Sequence, residues 1–361
     1  MSQRTNAVEW LTHARSLVDP AMREAVGRLD PFLGRVTSYH LGWCEPDGTP
    51  TSGPAGKALR PGLALLVAEA VDADADADAS RGESDVRRAR RGAVDAAIPG
   101  AVAVELVHNF SLVHDDIIDR DRERRHRPTV WSVWDDTTAI LAGDAMLSLA
   151  HEVLADAGPH ADAASLALAR ATREVIRGQA RDVEFERRDD VTLAECLAME
   201  QDKTGALLAV SASIGAILAG APQPVVDGCH TFGAELGLAF QIVDDLLGIW
   251  GSPQVTGKPV FADLAAAKKT LLVVWSIEYG GDAGADLAAW FATHGSRTVV
   301  EPDELKRAAD LIEKAGGREW ATAAADSHVA SALGALADLG LDETAHHTLI
   351  DLAHFVTERK L

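Results

Sequence analysis

Apolar residues recur along most of the chain at the three- and four-residue spacings of an amphipathic helix. No segment alternates apolar and polar residues as a half-buried strand would. Ala is abundant and aromatic residues make up only 5%, which favours helix over strand. We therefore expect an all-α fold, with helical segments at about 6–29, 58–71, 93–118, 136–156, 162–180, 192–220, 227–250, 262–279 and 303–338.

Helix-breaking residues, mainly Gly and Pro, separate these segments. The Gly- and Pro-rich stretch 42–56 predicts a loop, and 219–224 and 251–253 should each end a helix. Residues 72–91 alternate Asp and Ala and then become basic, so we expect a solvated loop within one domain spanning 1–361. The apolar run 205–221 is short and rich in Ala, Ser and Gly, which favours a core helix over a membrane span.

The overall charge narrows the range of partners. With 34 Lys and Arg against 55 Asp and Glu, the net charge is −21, which disfavours nucleic acids and anionic membranes as partners. Cys44, Cys196 and Cys229 are far apart and suggest neither a disulfide framework nor a zinc site, as in a reducing cytoplasm. Residues 1–17 contain no long apolar stretch, so we expect no signal peptide and a cytoplasmic protein.

The first candidate site is an acidic motif at the end of the predicted helix 93–118. Helical spacing puts His108, Ser111, Asp115 and Asp119 near one face, with Asp116 beside them. Carboxylates without sulfur or imidazole partners suit a hard cation such as Mg²⁺. A solvated acidic helix end would explain this motif equally well if it stood alone.

A second acid pair, Asp244 and Asp245, lies inside the apolar helix predicted at 227–250. Alone it could be a surface pair. Two such pairs in apolar helices, if they face one another, could hold several Mg²⁺ ions around one ligand, because Mg²⁺ usually completes its shell with phosphate oxygens and water.

Basic residues flank both acidic motifs. Gly56, Lys57 and Arg60 open a predicted helix, whose N-terminus is itself an anion site. Each of the other cations taken singly could be a surface charge; they are Arg124, Arg125, Lys203, Lys258 and Lys268. Together they suggest two anion sites, one bridged by metal and one bound directly by Lys and Arg.

These residues, in this order, resemble the trans-isoprenyl diphosphate synthases of the polyprenyl synthetase family. The resemblance runs from about 56 to 270 and rests on Gly56-Lys57-x-x-Arg60-Pro61, Asp115-Asp116-x-x-Asp119, Arg124-Arg125, Gly178-Gln179, Lys203-Thr204, Phe240-Gln241-x-x-Asp244-Asp245 and Gly257-Lys258. The segments 40–43 and 247–251 look like the actinobacterial branch.

The resemblance implies long helices around a central cavity, a homodimer, and condensation of isopentenyl diphosphate with an allylic diphosphate. It implies two or three Mg²⁺ ions on the allylic diphosphate, held by Asp115, Asp116, Asp119, Asp244 and Asp245. The same diphosphate would contact Arg124, Lys203 and Lys258. Isopentenyl diphosphate would contact Lys57, Arg60, His108 and Arg125, with Gly56 and Lys268 also at the substrates. Thr204 and Gln241 would lie beside the reacting carbons.

Two positions depart from the family pattern. Gly248 stands where the second motif usually has a third Asp, which leaves the number and affinity of the metals open. Asp263 is a candidate replacement. His126 stands where the family usually has Gly, and we expect little effect from it.

The most specific prediction concerns the length of the prenyl product. Ser111 and Phe110, four and five residues before Asp115, lie about one helical turn deeper. Because Ser111 is small, Phe110 alone should form the floor under the growing product, which predicts geranylgeranyl diphosphate, with farnesyl diphosphate as the alternative. A non-catalytic partner subunit and a class I terpene cyclase are the rival classes. The cyclase is disfavoured because the Asn/Asp-x-x-Ser/Thr-x-x-x-Glu triad is missing after 205 and the site at Lys57, Arg60 and His108 would have no purpose.

Overall fold

The computed structural model describes residues 6–51, 56, 58–71, 83–252, 260–294 and 300–357, and omits the side chains of 83–88. Within these residues the chain is almost entirely helical, as the apolar spacing predicts. The helices are α1 (Ala7–Val26), α2 (Pro31–His40), α3 (Leu59–Ala70), α4 (Glu83–Ile118), α5 (Val130–Val133), α6 (Asp136–Ala155), α7 (Ala161–Phe185), α8 (Leu193–Glu200), α9 (Ala206–Leu218), α10 (Gln223–Trp250), α11 (Ala262–Ala265), α12 (Leu271–Tyr279), α13 (Gly281–His294), α14 (Pro302–Lys314), α15 (Gly317–Leu336) and α16 (Glu343–Thr357).

Local signals set several helix boundaries. Asn6 and Glu9 form a reciprocal capping box at the start of α1, and Asp30 caps α2 just before Pro31. The breakers at 219–224 and 251–253 do separate helices, since α9 ends at Leu218 and α10 at Trp250. The predicted loop at 72–91 is wrong in its last part, because α4 already begins at Glu83; residues 72–82 lie outside the described chain.

The segment predicted at 192–220 is not one regular helix. One turn of π-helix, Gln201–Gly205 (the π turn), separates α8 from α9. The apolar run that follows is a core helix, as predicted, with Leu208 and Ile214 fully buried. A π turn adds a residue to one helical turn and is often found at functional sites.

The described residues contain one antiparallel ribbon, β1 (Glu123–Arg124) paired with β2 (Arg127–Pro128). Its two turn residues, Arg125 and His126, have φ of 51° and 62°. A two-residue turn with positive φ at both positions favours Gly. This geometry explains why a Gly would suit position 126.

The chain divides into two compact units. The first unit is Met1–Thr172, Val210–His230 and Leu336–Leu352, and the second is Arg173–Ala209, Thr231–Ala335 and Ala353–Leu361. In the first unit, Leu63, Leu106 and Met146 are fully buried. In the second unit, Phe232 and Leu236 are fully buried.

Two helical stretches, Ala89–Ile118 and Asp136–Ala155, are long and apolar enough to cross a membrane. In the fold, 61% and 44% of their most apolar windows are buried. Core helices pass the same length and composition test, so this is weak evidence for a membrane span. The three cysteines are buried and free.

Candidate active site

The first acidic motif forms the last turn of α4 and its exit. The amide of Asp119 donates to the carbonyl of Asp115 at 2.8 Å, which extends the helical turn by one residue. Asp116 is only 1% exposed, and one carboxylate oxygen accepts a hydrogen bond from Nε of Arg124 at 2.8 Å. Its other oxygen is buried without a hydrogen-bond partner. Burial raises the pKa of Asp116 despite Arg124.

A basic pocket lies in the same unit. His40, Arg124 and Arg125 line it, and Arg60 and His108 lie close to them. A guanidinium nitrogen of Arg60 and Nε2 of His108 are 3.2 Å apart. Burial, and then the neighbouring arginines, hold the pKa of His108 well below its usual range. Because this imidazole stays neutral, it can pair with an arginine without adding charge repulsion.

The end of the Arg125 side chain lies against Gly56, just before α3 begins. A Cβ at position 56 would lie 2.9 Å from a terminal nitrogen of Arg125, closer than real Cβ contacts occur. The same compact unit contains Gly56, Arg60, His108, Arg124 and Arg125. Lys57, predicted beside them, lies outside the described residues.

Two members of this pocket region escaped the sequence analysis as site residues. His40 ends α2, and its Nε2 is 3.1 Å from the side-chain oxygen of Asn109. Burial lowers the pKa of His40 to about 3, helped by Arg125 and Arg124. His40 lines a cleft together with Asp116, Arg124 and Arg125. Only tertiary packing brings His40 here, since it precedes the acidic motif by more than seventy positions.

In the second unit, close packing fixes Lys203 on the π turn. Nζ of Lys203 donates to the carboxylate of Asp182 on α7. A Cβ on Gly178 would lie 2.7 Å from Cα and 2.8 Å from Cβ of Lys203, so only glycine fits there. On another side of the turn, a Cβ on Gly237 would lie 2.7 Å from Cα of Gly205.

Two salt bridges from α7 also fix the π turn in place. Asp202 is 7% exposed and accepts hydrogen bonds from Arg177, at 2.6 Å from Nε, and from Arg181 at 3.0 Å. The sequence offered no pairing signal for these residues, since their partners are on different helices.

A hydrogen-bond chain joins the π turn to the second acidic motif. Thr204 donates to Gln241 at 2.9 Å, and Gln241 donates to Asp245 at 2.8 Å. The other oxygen of Asp245 accepts from the backbone amide of Leu271 at 3.1 Å. Burial raises the pKa of Asp245 to about 7. Asp244, its neighbour, is half-buried.

Glu200 is a further acid here that the sequence analysis missed. It is 7% exposed, and one of its carboxylate oxygens is buried without a hydrogen-bond partner. Burial, and then the charge of Asp245, raise its pKa well above the usual range. Lys268 is exposed nearby and opposes that shift, while Lys258 lies outside the described residues.

The predicted chain-length residues both lie on α4. Phe110 is 5% exposed, and its ring packs edge-on against His114 at 5.2 Å between centroids. His114 in turn lies against Gly143 of α6, where any Cβ would overlap the imidazole. Ser111 is half-buried and donates to the carbonyl of His108 at 2.9 Å.

The donor chemistry fits Mg²⁺. The acidic motifs offer oxygen ligands only, and the buried unpartnered oxygen of Asp116 is an atom that a cation or its water would satisfy. Among the described residues, no group of three or more His, Cys, Asp or Glu side chains is arranged to hold a metal alone. Mg²⁺ normally needs only one or two carboxylates, with phosphate and water as its other ligands.

An all-α fold with two aspartate pairs and a group of buried arginines is typical of enzymes that bind diphosphates. The chain belongs to the polyprenyl synthetase family, whose model matches residues 49–347. It is a short-chain trans-prenyltransferase of that family.

Relatives match over nearly the whole length. The (2E,6E)-farnesyl diphosphate synthase of Mycobacterium tuberculosis is 50% identical over 361 residues, covering 100% of this chain and 95% of that protein. A geranylgeranyl diphosphate synthase of the same species is 38% identical, covering 91% and 88%. The crystal structure of a polyprenyl synthetase from Streptomyces coelicolor A3(2) has a TM-score of 0.87 at 42% identity, covering 97% and 99%.

Proposed function

We propose that this prenyltransferase condenses isopentenyl diphosphate with an allylic diphosphate in a reaction that requires Mg²⁺. The observation that carries the proposal is the first unit's pairing of Asp116, buried with one unpartnered oxygen, with a pocket of arginines and neutral histidines. Carboxylates suit the metal of one diphosphate, and guanidinium groups suit direct binding of another.

The acids of α4 (Asp115, Asp116 and Asp119) and of α10 (Asp244 and Asp245) are the candidate metal ligands. Bound there, Mg²⁺ supplies neutralisation of the charge that develops on the leaving diphosphate. Arg124, Lys203 and Lys258 are the candidate contacts of the allylic diphosphate itself. Arg125, Arg60, His108 and Lys57 are those of isopentenyl diphosphate.

The remaining groups position the reaction. When the bond between the allylic carbon and its diphosphate breaks, the double bond of isopentenyl diphosphate attacks that carbon and a proton is then lost. Thr204 and Gln241, fixed by their hydrogen bond at 2.9 Å, are the candidates beside the reacting carbons. We assign the proton to the departing diphosphate. A water-excluding apolar site is needed because water would quench the allylic cation.

For the product, we favour farnesyl diphosphate. The support is the 50% identity, over the entire chain, with synthases of that name, against 38% with a geranylgeranyl diphosphate synthase. Geranylgeranyl diphosphate, the sequence prediction, is the second candidate, and the small Ser111 one turn before Asp115 favours it. A homodimer in the cytoplasm, implied by the family resemblance, is part of the proposal and can be measured by light scattering after gel filtration.

The test is turnover of radiolabelled isopentenyl diphosphate with dimethylallyl, geranyl or farnesyl diphosphate, with products separated by chain length. We expect Asp115→Ala and Asp244→Ala each to lower kcat/KM by about 10²–10⁴, the loss typical of removing transition-state charge stabilisation. EDTA should abolish turnover and added Mg²⁺ should restore it. Asp121→Ala, which removes an exposed acid just outside the motif, is the matched control. Near-normal turnover in both site variants would contradict the metal assignment.

A further inference from the structure

The second unit contains a cavity of about 520 Å³, and none of the described residues that line it is assigned to the proposed reaction. It is bounded by α10, α15 and the end of α16. Its apolar lining is Val243, Leu246, Ala325, Val329, Ala330 and Leu333. Small-molecule sites typically measure about 300–1,000 Å³ and combine apolar walls with a few polar groups. The size and lining of this cavity therefore suit a small molecule.

One face of α15 supplies most of the wall. The lining positions Thr322, Asp326, Val329 and Leu333 are three or four residues apart, so helical geometry puts them on the same side. Ala330 also lines the cavity, and its side chain is a single methyl group. This small side chain leaves open a space that a larger one would fill.

Val243 and Leu246 line the cavity from α10, the helix that carries the second acidic motif. They are three residues apart and share one face, whereas Gln241 and Asp245 are four apart and share another. At about 3.6 residues per turn, the two faces point in nearly opposite directions. The cavity is therefore separate from the hydrogen bond between Gln241 and Asp245, although both use α10.

Polar residues lie at the edge of the cavity. Thr322, Asp326 and His354 are exposed, whereas Val243 and Leu246 are buried. The described residues of the lining include one acid, Asp326, and neither Lys nor Arg. A phosphate or carboxylate group at this edge would meet a like charge, while an ammonium group would be attracted. The net charge of −21 acts in the same direction and favours a cationic headgroup.

We propose that this cavity binds a cationic amphiphile, a small molecule with an apolar chain and an ammonium headgroup. The chain lies against Leu246 and Val329, and the ammonium group lies beside Asp326. The site is distinct from those of the two diphosphate substrates, whose headgroups need basic residues that the described lining lacks. The inference therefore stands or fails independently of the proposed function.

Isothermal titration calorimetry of the full-length protein with decyltrimethylammonium, below its micelle concentration, tests this site. A non-reactive thio analogue of an allylic diphosphate and Mg²⁺ are present to occupy the site proposed for the substrates. Decyl sulfate and decanol have the same chain and differ in headgroup. We expect decyltrimethylammonium to bind the wild type more tightly than decyl sulfate does.

Three variants locate the binding. Ala330→Trp places an indole ring in the cavity and should weaken the binding of decyltrimethylammonium by about tenfold or more. Asp326→Asn should weaken it by about threefold, as expected for an exposed ion pair, and should leave the affinity for decanol unchanged. Ser331→Trp is the matched control, because it adds the same ring at an exposed position of α15 outside the lining, and it should bind as wild type.

Each contrary result overturns a part of the proposal. If Ala330→Trp keeps the wild-type circular dichroism spectrum and the wild-type affinity, the probe binds elsewhere and the site is wrong. If decyl sulfate binds more tightly than decyltrimethylammonium, or Asp326→Asn changes nothing, the ligand class is wrong. If the affinity falls as the protein concentration increases, a second copy of the chain covers the cavity and the proposed occupant is wrong.

Discussion

Gly178 offers a sharp test of how the π turn positions Lys203. The change Gly178→Ala adds one methyl group at a point where α7 touches backbone, since a Cβ there would lie 2.7 Å from Cα of Lys203. Backbone atoms cannot rotate away as the end of a side chain can. Ordinary carbon contacts begin at about 3.5 Å, so Lys203 must retreat by roughly 0.8 Å.

That displacement sets the expected magnitudes. Overpacking of a close contact costs about 1–3 kcal/mol of stability. A displacement of about 1 Å in a positioned group can cost about 10²-fold in rate. The retreat would also disturb Thr204, the next residue, whose hydroxyl donates to Gln241. We therefore expect kcat to fall by about 10- to 100-fold. The loss of stability alone would leave most of the protein folded and would not lower kcat this far.

The assay pairs steady-state kinetics with urea unfolding of the same preparations. Gly334→Ala is the matched control, because Gly334 lies in α15 of the same unit with nothing within 4 Å of an added Cβ. An alanine there should stabilise the protein by about 0.5–1 kcal/mol and leave kcat unchanged. Wild-type kcat in Gly178→Ala would refute the view that this contact positions Lys203.

Three further predictions follow from the two sites. Arg125→Ala should raise the KM for isopentenyl diphosphate more than that for the allylic substrate, and Lys203→Ala should do the reverse; equal increases in steady-state assays would contradict the assignment. Phe110→Ala should lengthen the product, measured by mass spectrometry, and an unchanged profile would place the floor elsewhere. His40, with a pKa of about 3, takes up its proton on unfolding below pH 6.5, so acid should destabilise the wild type. At pH 5 this proton uptake should lower the unfolding free energy of the wild type by about 2 kcal/mol, and His40→Gln should not show that decrease. Identical plots of unfolding free energy against pH for the two proteins would count against this.

Much of the first site follows from helical spacing. The stripe from His108 to Asp119 could be predicted because residues three and four apart share a face, and Arg124 follows the same motif closely in sequence. His40 could not be found this way, since α2 reaches the basic pocket only through tertiary packing. The π turn at Gln201–Gly205 could not be found this way either, because a single added residue is too small a change in the helical spacing to recognise.

Packing between helices also affects the residue predicted to limit the length of the product. The prediction of a floor at Phe110 uses position along one helix, whereas His114, the neighbour of the Phe110 ring, packs against a second helix. Its edge contact with His114, and the overlap that any Cβ at Gly143 would make with that imidazole, show that α6 helps determine where the Phe110 ring lies. A change at Gly143 should therefore act on the same product profile.

The two departures from the family pattern are both single substitutions, but the first affects backbone conformation and the second affects side-chain packing. At position 126 a histidine adopts φ of 62°, a left-handed conformation that costs a residue with a Cβ about 1–2 kcal/mol. That cost is local, because the ribbon still forms and Arg125 still reaches Gly56. At position 248 the loss of a side chain opens a volume that Asp263 fills. One departure therefore weakens a turn that keeps its geometry, while at the other the carboxylate of Asp263, fifteen positions away, occupies the space.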